Sequence, residues 1–381
     1  MKETGRRPWR RGRTPVVLAL TLAVLGGATL AAWLAEAGPF REPSHCWGAW
    51  QEGSGPEVLG DAYARVVKET GSPQRGEQAT CAMVFGPPGT EEMRHADAAL
   101  NGEAPADSAG QRLIARVGPP PRSAGEPRRA WLAEALHGSA APLPGGVPGV
   151  VGRDRGTLVL PGECDGENGL PMVVTVRSEG MKGMEQDIGS ERDVAALLFS
   201  LADTARERAG CAGGAPTRLT EPVRVAQGEG EGESTAGRGR APSCGIPGMR
   251  FTPRNGTLRD EASAVGERLQ SCSLALTRED EGREEAVAGG QFVMTSHPRL
   301  ARLFAGMADG ASPGEGWRGE GRTGGRGGVV TAECRGRPTV FSLYLDGELA
   351  EAAEPEVRRV FARSVNSVAQ RLGCPAVGPR T

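Results

Sequence analysis

The chain has 381 residues, a length more typical of two domains than of one. Its formal net charge is −2, with 45 basic and 47 acidic residues dispersed along it, and this balance argues against a nucleic-acid-binding surface. Only 38% of the residues are apolar, whereas 58 are glycine and 29 are proline, so we expect modest cores and many loops.

The N-terminus predicts a membrane anchor. Residues 1–13 are basic, and residues 14–35 follow without a charge. A helix over this uncharged run would extend about 33 Å, enough to cross the hydrocarbon core of a bilayer. Basic flanks stay in the cytoplasm, so residues 1–13 are predicted to be cytoplasmic and the chain after the span extracytoplasmic. We therefore expect a single-pass protein of the cell membrane, held by a signal anchor.

A cleaved signal peptide is the alternative interpretation. Ala35, Glu36 and Ala37 have the small-x-small form of a cleavage site, and cleavage after Ala37 would produce a secreted protein. The apolar run is longer than the 7–15 residues usual for a signal peptide, and this length favours the retained anchor. Both interpretations place the rest of the chain outside the cytoplasm.

The cysteines indicate disulfide bonds. An even number of cysteines in an exported chain is typical of a disulfide framework. No two of them have C-x-x-C spacing, which argues against zinc and thioredoxin-like redox sites. We therefore predict four disulfides, no metal and no cofactor. The eight cysteines are Cys46, Cys81, Cys164, Cys211, Cys244, Cys272, Cys334 and Cys374.

The sequence around the cysteines is an internal repeat. The first four are separated by 35, 83 and 47 residues and the second four by 28, 62 and 40, the same short–long–medium order. Each set contains a strand-like segment at its second cysteine, CAMVF or CSLAL, and closes with ARERAGC or VAQRLGC. The segments between them predict the order α-β-β-α-β-β-α in each set, which is an α+β pattern.

The repeat divides the exported part into two tandem, disulfide-stapled α+β modules, residues 36–211 and residues 244–381. Residues 212–243 are rich in Gly, Glu and Pro and are predicted to be a linker. The segments 86–109 and 310–328 are predicted to be insertions at loop tips. The closing helices have apolar residues at helical spacing. They are Val194, Leu197, Leu198 and Leu201 in the first module and Val357, Val360, Phe361, Val365, Val368 and Leu372 in the second.

Element lengths predict how the cysteines pair. A strand leads away from Cys334 by about 26 Å and a helix returns by about 28 Å, so Cys374 is expected beside Cys334. The same geometry joins Cys164 to Cys211. Elimination then pairs Cys46 with Cys81 and Cys244 with Cys272. This is a hypothesis, since eight cysteines allow 105 pairings.

Three short motifs resemble functional signatures in the wrong context. GASPG around Ser312 matches a nucleophile elbow, but a predicted helix precedes it and a Gly-rich loop follows. GEGRTG over residues 319–324 matches a dinucleotide fingerprint with the same wrong order. DGENGL from Asp165 resembles half of a calcium loop but has Leu170 where Gly is required. We predict loops or turns at all three.

No catalytic residue can be assigned from the sequence. The histidines His45, His95, His137 and His297 are not spaced as metal ligands. Trp47 and Trp50 are predicted to cover the disulfide of Cys46 within the core; the alternative is an exposed pair that binds a sugar or a peptide.

The basic N-terminus, the single span and the contexts CWGAW, LPGECDG and RERAGC resemble uncharacterised membrane-anchored exported proteins of high-GC Gram-positive bacteria. The resemblance covers most of the chain. It implies a location in the cell envelope. It implies nothing about activity, because that group has no activity that could be assigned to this chain.

These observations predict a non-catalytic binding or interaction module of the cell envelope. Its expected partners are the membrane, crossed once, and an unknown cell-surface protein or small ligand, with no nucleic acid. The alternative is an exported hydrolase directed at the cell wall, with a site assembled from dispersed residues. A deep cleft holding His137 or His297 beside carboxylates would favour the enzyme, and a shallow duplicated surface would favour binding.

Overall fold

The computed structural model describes residues 44–52, 59–60, 63–103, 111–179, 186–213, 218–223, 241–263, 266–280, 283–308 and 312–379. The predicted cytoplasmic segment, the predicted span and most of the predicted linker lie outside these residues. Within the described part of the chain, no helix is both long and apolar enough to cross a membrane.

The described chain is a mixture of strands and helices, as the α+β prediction required. The strands are β1 (Ser44–His45), β2 (Trp50–Gln51), β3 (Ala64–Thr70), β4 (Ala79–Gly86), β5 (Gln111–Gly118), β6 (Ala141–Pro142), β7 (Gly149–Val151), β8 (Arg155–Val159), β9 (Val173–Glu179), β10 (Thr257–Ala262), β11 (Leu269–Asp280), β12 (Arg283–Thr295), β13 (Glu320–Gly324), β14 (Gly327–Cys334) and β15 (Arg337–Leu345). The helices are α1 (Glu91–Arg94), α2 (Ala96–Asn101), α3 (Glu126–Ala135), α4 (Glu191–Arg208), α5 (Pro298–Ala301), α6 (Gly347–Glu351) and α7 (Val357–Arg371).

Two antiparallel sheets follow the same strand order. The first sheet runs β3-β4-β5-β9-β8-β7-β6, and the second runs β10-β11-β12-β15-β14-β13. Position by position, the orders match except for β6, which extends the first sheet by one short strand. In each half the third strand therefore pairs with the last one, and a helix lies in the connection between them.

Each sheet has a closing helix on one face and the other half of the molecule on the opposite face. Val174 on β9 belongs to the core beneath α4, whereas its neighbour Val173 belongs to a core shared by both halves. Adjacent strand residues point to opposite faces, so both faces of the sheet are covered. The apolar faces predicted for α4 and α7 lie in the cores, where only Leu372 is partly exposed.

The cysteines pair as the sequence predicted. The disulfides are Cys46–Cys81, Cys164–Cys211, Cys244–Cys272 and Cys334–Cys374, with Cα–Cα distances of 5.4, 5.2, 5.9 and 5.3 Å. Each bond links two cysteines of the same half. In both halves the first cysteine has a left-handed backbone, with φ of 52° at Cys46 and 51° at Cys244.

The predicted helix at the start of each repeat is wrong. The structure has a strand there in both halves, β3 and β10, and each lies at the edge of its sheet. Edge strands commonly carry charged residues that discourage pairing with other chains. The charges of "RVVKET" and "TLRDEA" therefore obscured the strand pattern.

Two segments predicted to be loop-tip insertions contain regular structure. The segment 86–109 includes the short helices α1 and α2, and the segment 310–328 includes β13. Gly321 of β13 lies so close to β14 that an added Cβ would come within 2.1 Å of the Val329 carbonyl oxygen. Glycine here permits close strand pairing, whereas its abundance had indicated a loop.

The central helix of the first half ends against the second sheet. The side-chain amide of Gln291 on β12 donates to the carbonyls of Leu132, Ala133 and Leu136 at 3.3, 3.4 and 2.8 Å. The Ala133 carbonyl lies in the last turn of α3, where carbonyls have no partner within the helix, whereas the Leu132 carbonyl also accepts from the Leu136 backbone N–H at 2.9 Å. Gln291 therefore caps α3 from the other half of the chain.

The short helix α5 of the second half in turn binds the first half. Arg299 donates to the carboxylate of Asp165 at 2.6 and 2.8 Å and to the Leu160 carbonyl. His297 contributes a further bond from Nε2 to the Gly146 carbonyl, at 3.0 Å. Each half thus sends its central helix to the other half, and the described residues from His45 onward belong to one compact unit.

Arg128 lies where the two central helices meet. Its side chain is 1% exposed and donates to the carbonyls of Pro121, Arg122, Leu303 and Ala305. No carboxylate of the described chain pairs with it. Burial lowers the pKa of Arg128 from its ordinary value, but a guanidinium retains its proton in proteins. Four carbonyl dipoles from two halves therefore solvate one buried charge.

Replacing Arg128 with Met should lower the free energy of unfolding by about 2–4 kcal/mol, because buried carbonyls lose their donors. Replacing Arg129 with Met should cost less than about 1 kcal/mol, because its ion pair with Glu126 is solvent-exposed. Urea unfolding of both variants at pH 7 measures the difference. Equal losses would contradict the role given to Arg128.

Candidate functional site

A cleft of about 600 Å³ lies where the first half meets the second sheet. Its volume falls in the range of small-molecule sites. One wall is the start of α3, with Ala124 and Gly125 before it. The other wall is the β13–β14 hairpin, and the end of β15 forms the floor. The cleft therefore exists only because α3 crosses to the other half.

The cleft is cationic. Arg129 of α3 and Arg322 and Arg326 of the hairpin line it, and no carboxylate is among the described residues that do so. Arg322 and Arg326 are exposed, and no carboxylate within the described ranges lies at ion-pair distance from Arg322. Guanidinium groups match the geometry of carboxylate and phosphate oxygens. The lining thus provides donors for an anion.

One carboxylate, that of Glu126, holds two of the cleft side chains in place from the edge. The Tyr344 hydroxyl donates to Glu126 Oε1 at 2.9 Å, and Arg129 donates to Oε2 at 3.0 Å. The Arg129 guanidinium also lies 5.1 Å from the centre of the Tyr344 ring. Burial raises the pKa of Glu126, but hydrogen bonds from Tyr344 and Arg129 outweigh it, so the pKa lies below its ordinary value. Glu126 is therefore ionised at neutral pH.

The polar lining is completed by glycine backbone and a few apolar groups. Gly324 and Gly325 have open space at the position of a Cβ, with no described atom closer than 3.9 Å. Met307 and Val329 are buried beneath the cleft and contribute its apolar surface, whereas the Leu343 side chain points to the opposite face of the sheet, into the core beneath α7. The site therefore combines an apolar floor with cationic walls.

His137 does not form a catalytic triad. Its Nδ1 contacts the Ser139 hydroxyl at 2.9 Å, and Glu261 Oε2 lies 3.5 Å from the same nitrogen. A triad requires the serine and the acid on opposite ring nitrogens. Since both groups approach Nδ1, Glu261 cannot orient the ring for proton transfer from Ser139. None of the three residues lines the cleft.

Burial explains how these groups titrate. It lowers the pKa of His137 to about 4, reinforced by the charge of Arg155, and it raises the pKa of Glu261. The Ser139 backbone N–H also donates to His137 Nδ1, at 3.3 Å, which requires an unprotonated nitrogen there. The imidazole is therefore neutral at physiological pH.

His297 has a structural role. Its Nδ1 accepts from the Arg299 backbone N–H at 3.2 Å, while Nε2 bonds the Gly146 carbonyl. Both ring nitrogens are thus occupied at the start of α5. Neither of the two histidines that would have favoured an enzyme lies in a cleft of the predicted kind.

The other predicted site features are structural. Within the described ranges, no group of three or more metal-ligating side chains comes together. Asp165 of the calcium-like segment forms ion pairs with Arg299 and Arg302. Trp47 and Trp50 are 5% and 1% exposed and pack with the Cys46–Cys81 disulfide, which confirms the core prediction for both.

The cleft residues Arg129, Arg322, Arg326 and Tyr344 were not predicted from the sequence. GEGRTG lacks the following helix of a dinucleotide fingerprint, and the arginines in and beside it contribute to an overall charge close to zero. The usable signal was the run "RTGGRGG", which concentrates cations on a glycine-rich hairpin.

Comparison with protein-family models, with curated proteins and with solved structures finds no match to this chain.

The pKa of about 4 at His137 predicts a pH-dependent stability. Unfolding restores the ordinary pKa of about 6.5, so the unfolded chain binds the extra proton between these values. The free energy of unfolding should therefore fall as the pH drops from about 6.5 to about 4, by up to about 3 kcal/mol from this group. The His137→Gln variant lacks this contribution.

Urea unfolding of both proteins at pH 7 and pH 4.5 measures the effect. The stability of the wild type relative to His137→Gln should decrease at the lower pH. A gap that is independent of pH would show that the folded protein leaves His137 free to protonate.

Proposed function

We propose that this chain is a non-catalytic, extracytoplasmic binding protein of the cell envelope, held by the predicted span 14–35, and that the cleft between α3 and the β13–β14 hairpin is its ligand site. The observation that carries the binding role is the cleft itself. It has the volume of a small-molecule site and joins apolar and cationic surface.

The export proposal rests on the basic N-terminus, the uncharged run after it and the four disulfides. Described residues contain eight cysteines, all of them paired. Disulfides of this number persist in oxidising compartments outside the cytoplasm. The same observation is compatible with release after Ala37, which remains the alternative location.

We further propose that the two halves arose by duplication of one module. The matching strand orders support this, as do the equivalent disulfides and the left-handed backbone shared by Cys46 and Cys244. After duplication, the exchange of central helices would have created a cleft that one module lacks. Binding would then be a property of the pair.

The exported hydrolase receives less support from the geometry. The cleft offers arginine, tyrosine, serine and threonine side chains, and the histidines lie elsewhere. Ser342 lines the floor but has no described histidine or carboxylate arranged to activate it. Binding requires only the groups that are present.

The test uses a library of small fragments of negative, neutral and positive charge. Fragment binding to the full-length, oxidised chain is followed through the methyl NMR signals of Met307 and Val329. We expect shifts that saturate and that concentrate on these two residues. The methyls of Leu197 and Leu198, on the buried face of α4, should not respond.

A blocked variant makes the test specific. Gly324→Phe combined with Gly325→Phe places a ring in the cleft, because Gly324 lies two residues after Arg322 and therefore on the same side of β13. The matched control replaces both glycines with Ala. Binding should be lost in the Phe variant and kept in the Ala variant. Equal binding by both variants, or fragment shifts scattered over the molecule, would contradict the cleft as the ligand site.

A further inference from the structure

We infer that the ligand of the cleft is a small organic molecule carrying two oxyanion groups, carboxylate or phosphate, which bind Arg322 and Arg326 on one wall and Arg129 on the other. The inference rests on the proposed binding function and adds the chemical class of the ligand.

The side chains that line the cleft carry a net positive charge. Three guanidinium groups face the cavity, while the nearest acid that contacts any of them is Glu126. The group of four therefore has a net charge of about +2, and a ligand with two negative charges would balance it. A neutral ligand would leave Arg322 without an anionic partner among the described residues.

The cationic side chains of the cleft belong to two different elements, a helix and a hairpin. Arg129 projects from a helix of the first half, whereas Arg322 and Arg326 belong to a hairpin of the second. Because the walls face each other across the cleft, one oxyanion group alone would engage one wall more readily than both. A ligand with an oxyanion at each end can bind both walls.

The apolar floor of the cleft favours a ligand with a carbon skeleton. Met307 and Val329 form an apolar floor, and the ring of Tyr344 adds an aromatic surface. An inorganic ion would leave this surface in contact with water. A short carbon skeleton between the two oxyanions would cover it and gain the free energy of apolar burial.

Glu126 competes with an anionic ligand for the same hydrogen-bond donors. Its carboxylate accepts hydrogen bonds from Arg129 and Tyr344 and lies beside Arg326, whose charge helps to lower the pKa of Glu126. An incoming anion must share these donors with Glu126 and is repelled by its charge. Glu126 therefore weakens the binding of anions while it holds Arg129 and Tyr344 in place.

The experiment compares succinate, ethylene bisphosphonate and the uncharged succinate analogue succinamide. Each is titrated into the full-length, oxidised protein at constant ionic strength and pH 7, and the methyl signals of Met307 and Val329 are followed. Succinate or the bisphosphonate should give saturable shifts, and succinamide should bind at least about tenfold more weakly, since it lacks charge-assisted hydrogen bonds.

Three variants assign the effect to the cleft. Arg322→Gln should weaken binding of the better anion at least about tenfold. Glu126→Gln should tighten it by about three- to tenfold, because the competing charge is removed while Tyr344 and Arg129 keep an acceptor. Arg318→Gln removes an exposed arginine that does not line the cleft, and it should change the affinity less than about twofold.

The outcomes separate this inference from the function on which it rests. If the fragments bind in the cleft but neither anion does, the ligand class is wrong and the binding function stands. If succinamide binds as tightly as succinate, or Arg322→Gln has no more effect than Arg318→Gln, the inference is also overturned. If neither fragments nor anions perturb the cleft methyls, both proposals fail.

Discussion

The buried guanidinium of Arg128 is the contact on which the arrangement of the two halves depends. It binds carbonyls before α3 and carbonyls after α5, so one side chain joins the two central helices. These carbonyls belong to the loops that continue into the cleft walls at Ala124 and Gly306. A charge with no described carboxylate partner is costly to bury, and it is tolerated here because several oriented dipoles replace water. The loops that hold Arg128 therefore also carry the cleft residues Ala124 and Gly306.

The position of the cleft follows from the way in which each central helix packs on the other half. Each sheet has its own disulfides and closing helix, but its inner face is apolar and must be covered. The central helix of the other half supplies part of the cover. Since α3 starts beside the β13–β14 hairpin and ends beneath Gln291 of β12, a space is left at its first turn. That space is the cleft, and its charge comes from residues of both halves.

Local sequence patterns predicted the parts of the fold that depend on local chemistry. Two of the cysteine pairs followed from element lengths and the other two by elimination, and the faces of α4 and α7 followed from the spacing of apolar residues. The edge strands β3 and β10 were not predicted because they carry charged residues, which discourage pairing with the sheet edges of other chains. These charges hide the alternation of apolar and polar residues that is typical of a strand. The cleft was missed for a different reason. Arg129 and Arg322 are far apart in sequence, and only the exchange of helices brings them to one site.

A crystal grown with selenate tests the central claim most directly, because the anomalous signal of selenium locates an oxyanion in the protein. The account predicts a peak in the cleft, within hydrogen-bond distance of Arg322 or Arg326 and facing Arg129, with Arg128 still bound to the carbonyls of both halves. An empty cleft with selenate bound only elsewhere, or two halves that no longer share the α3 contacts, would contradict it.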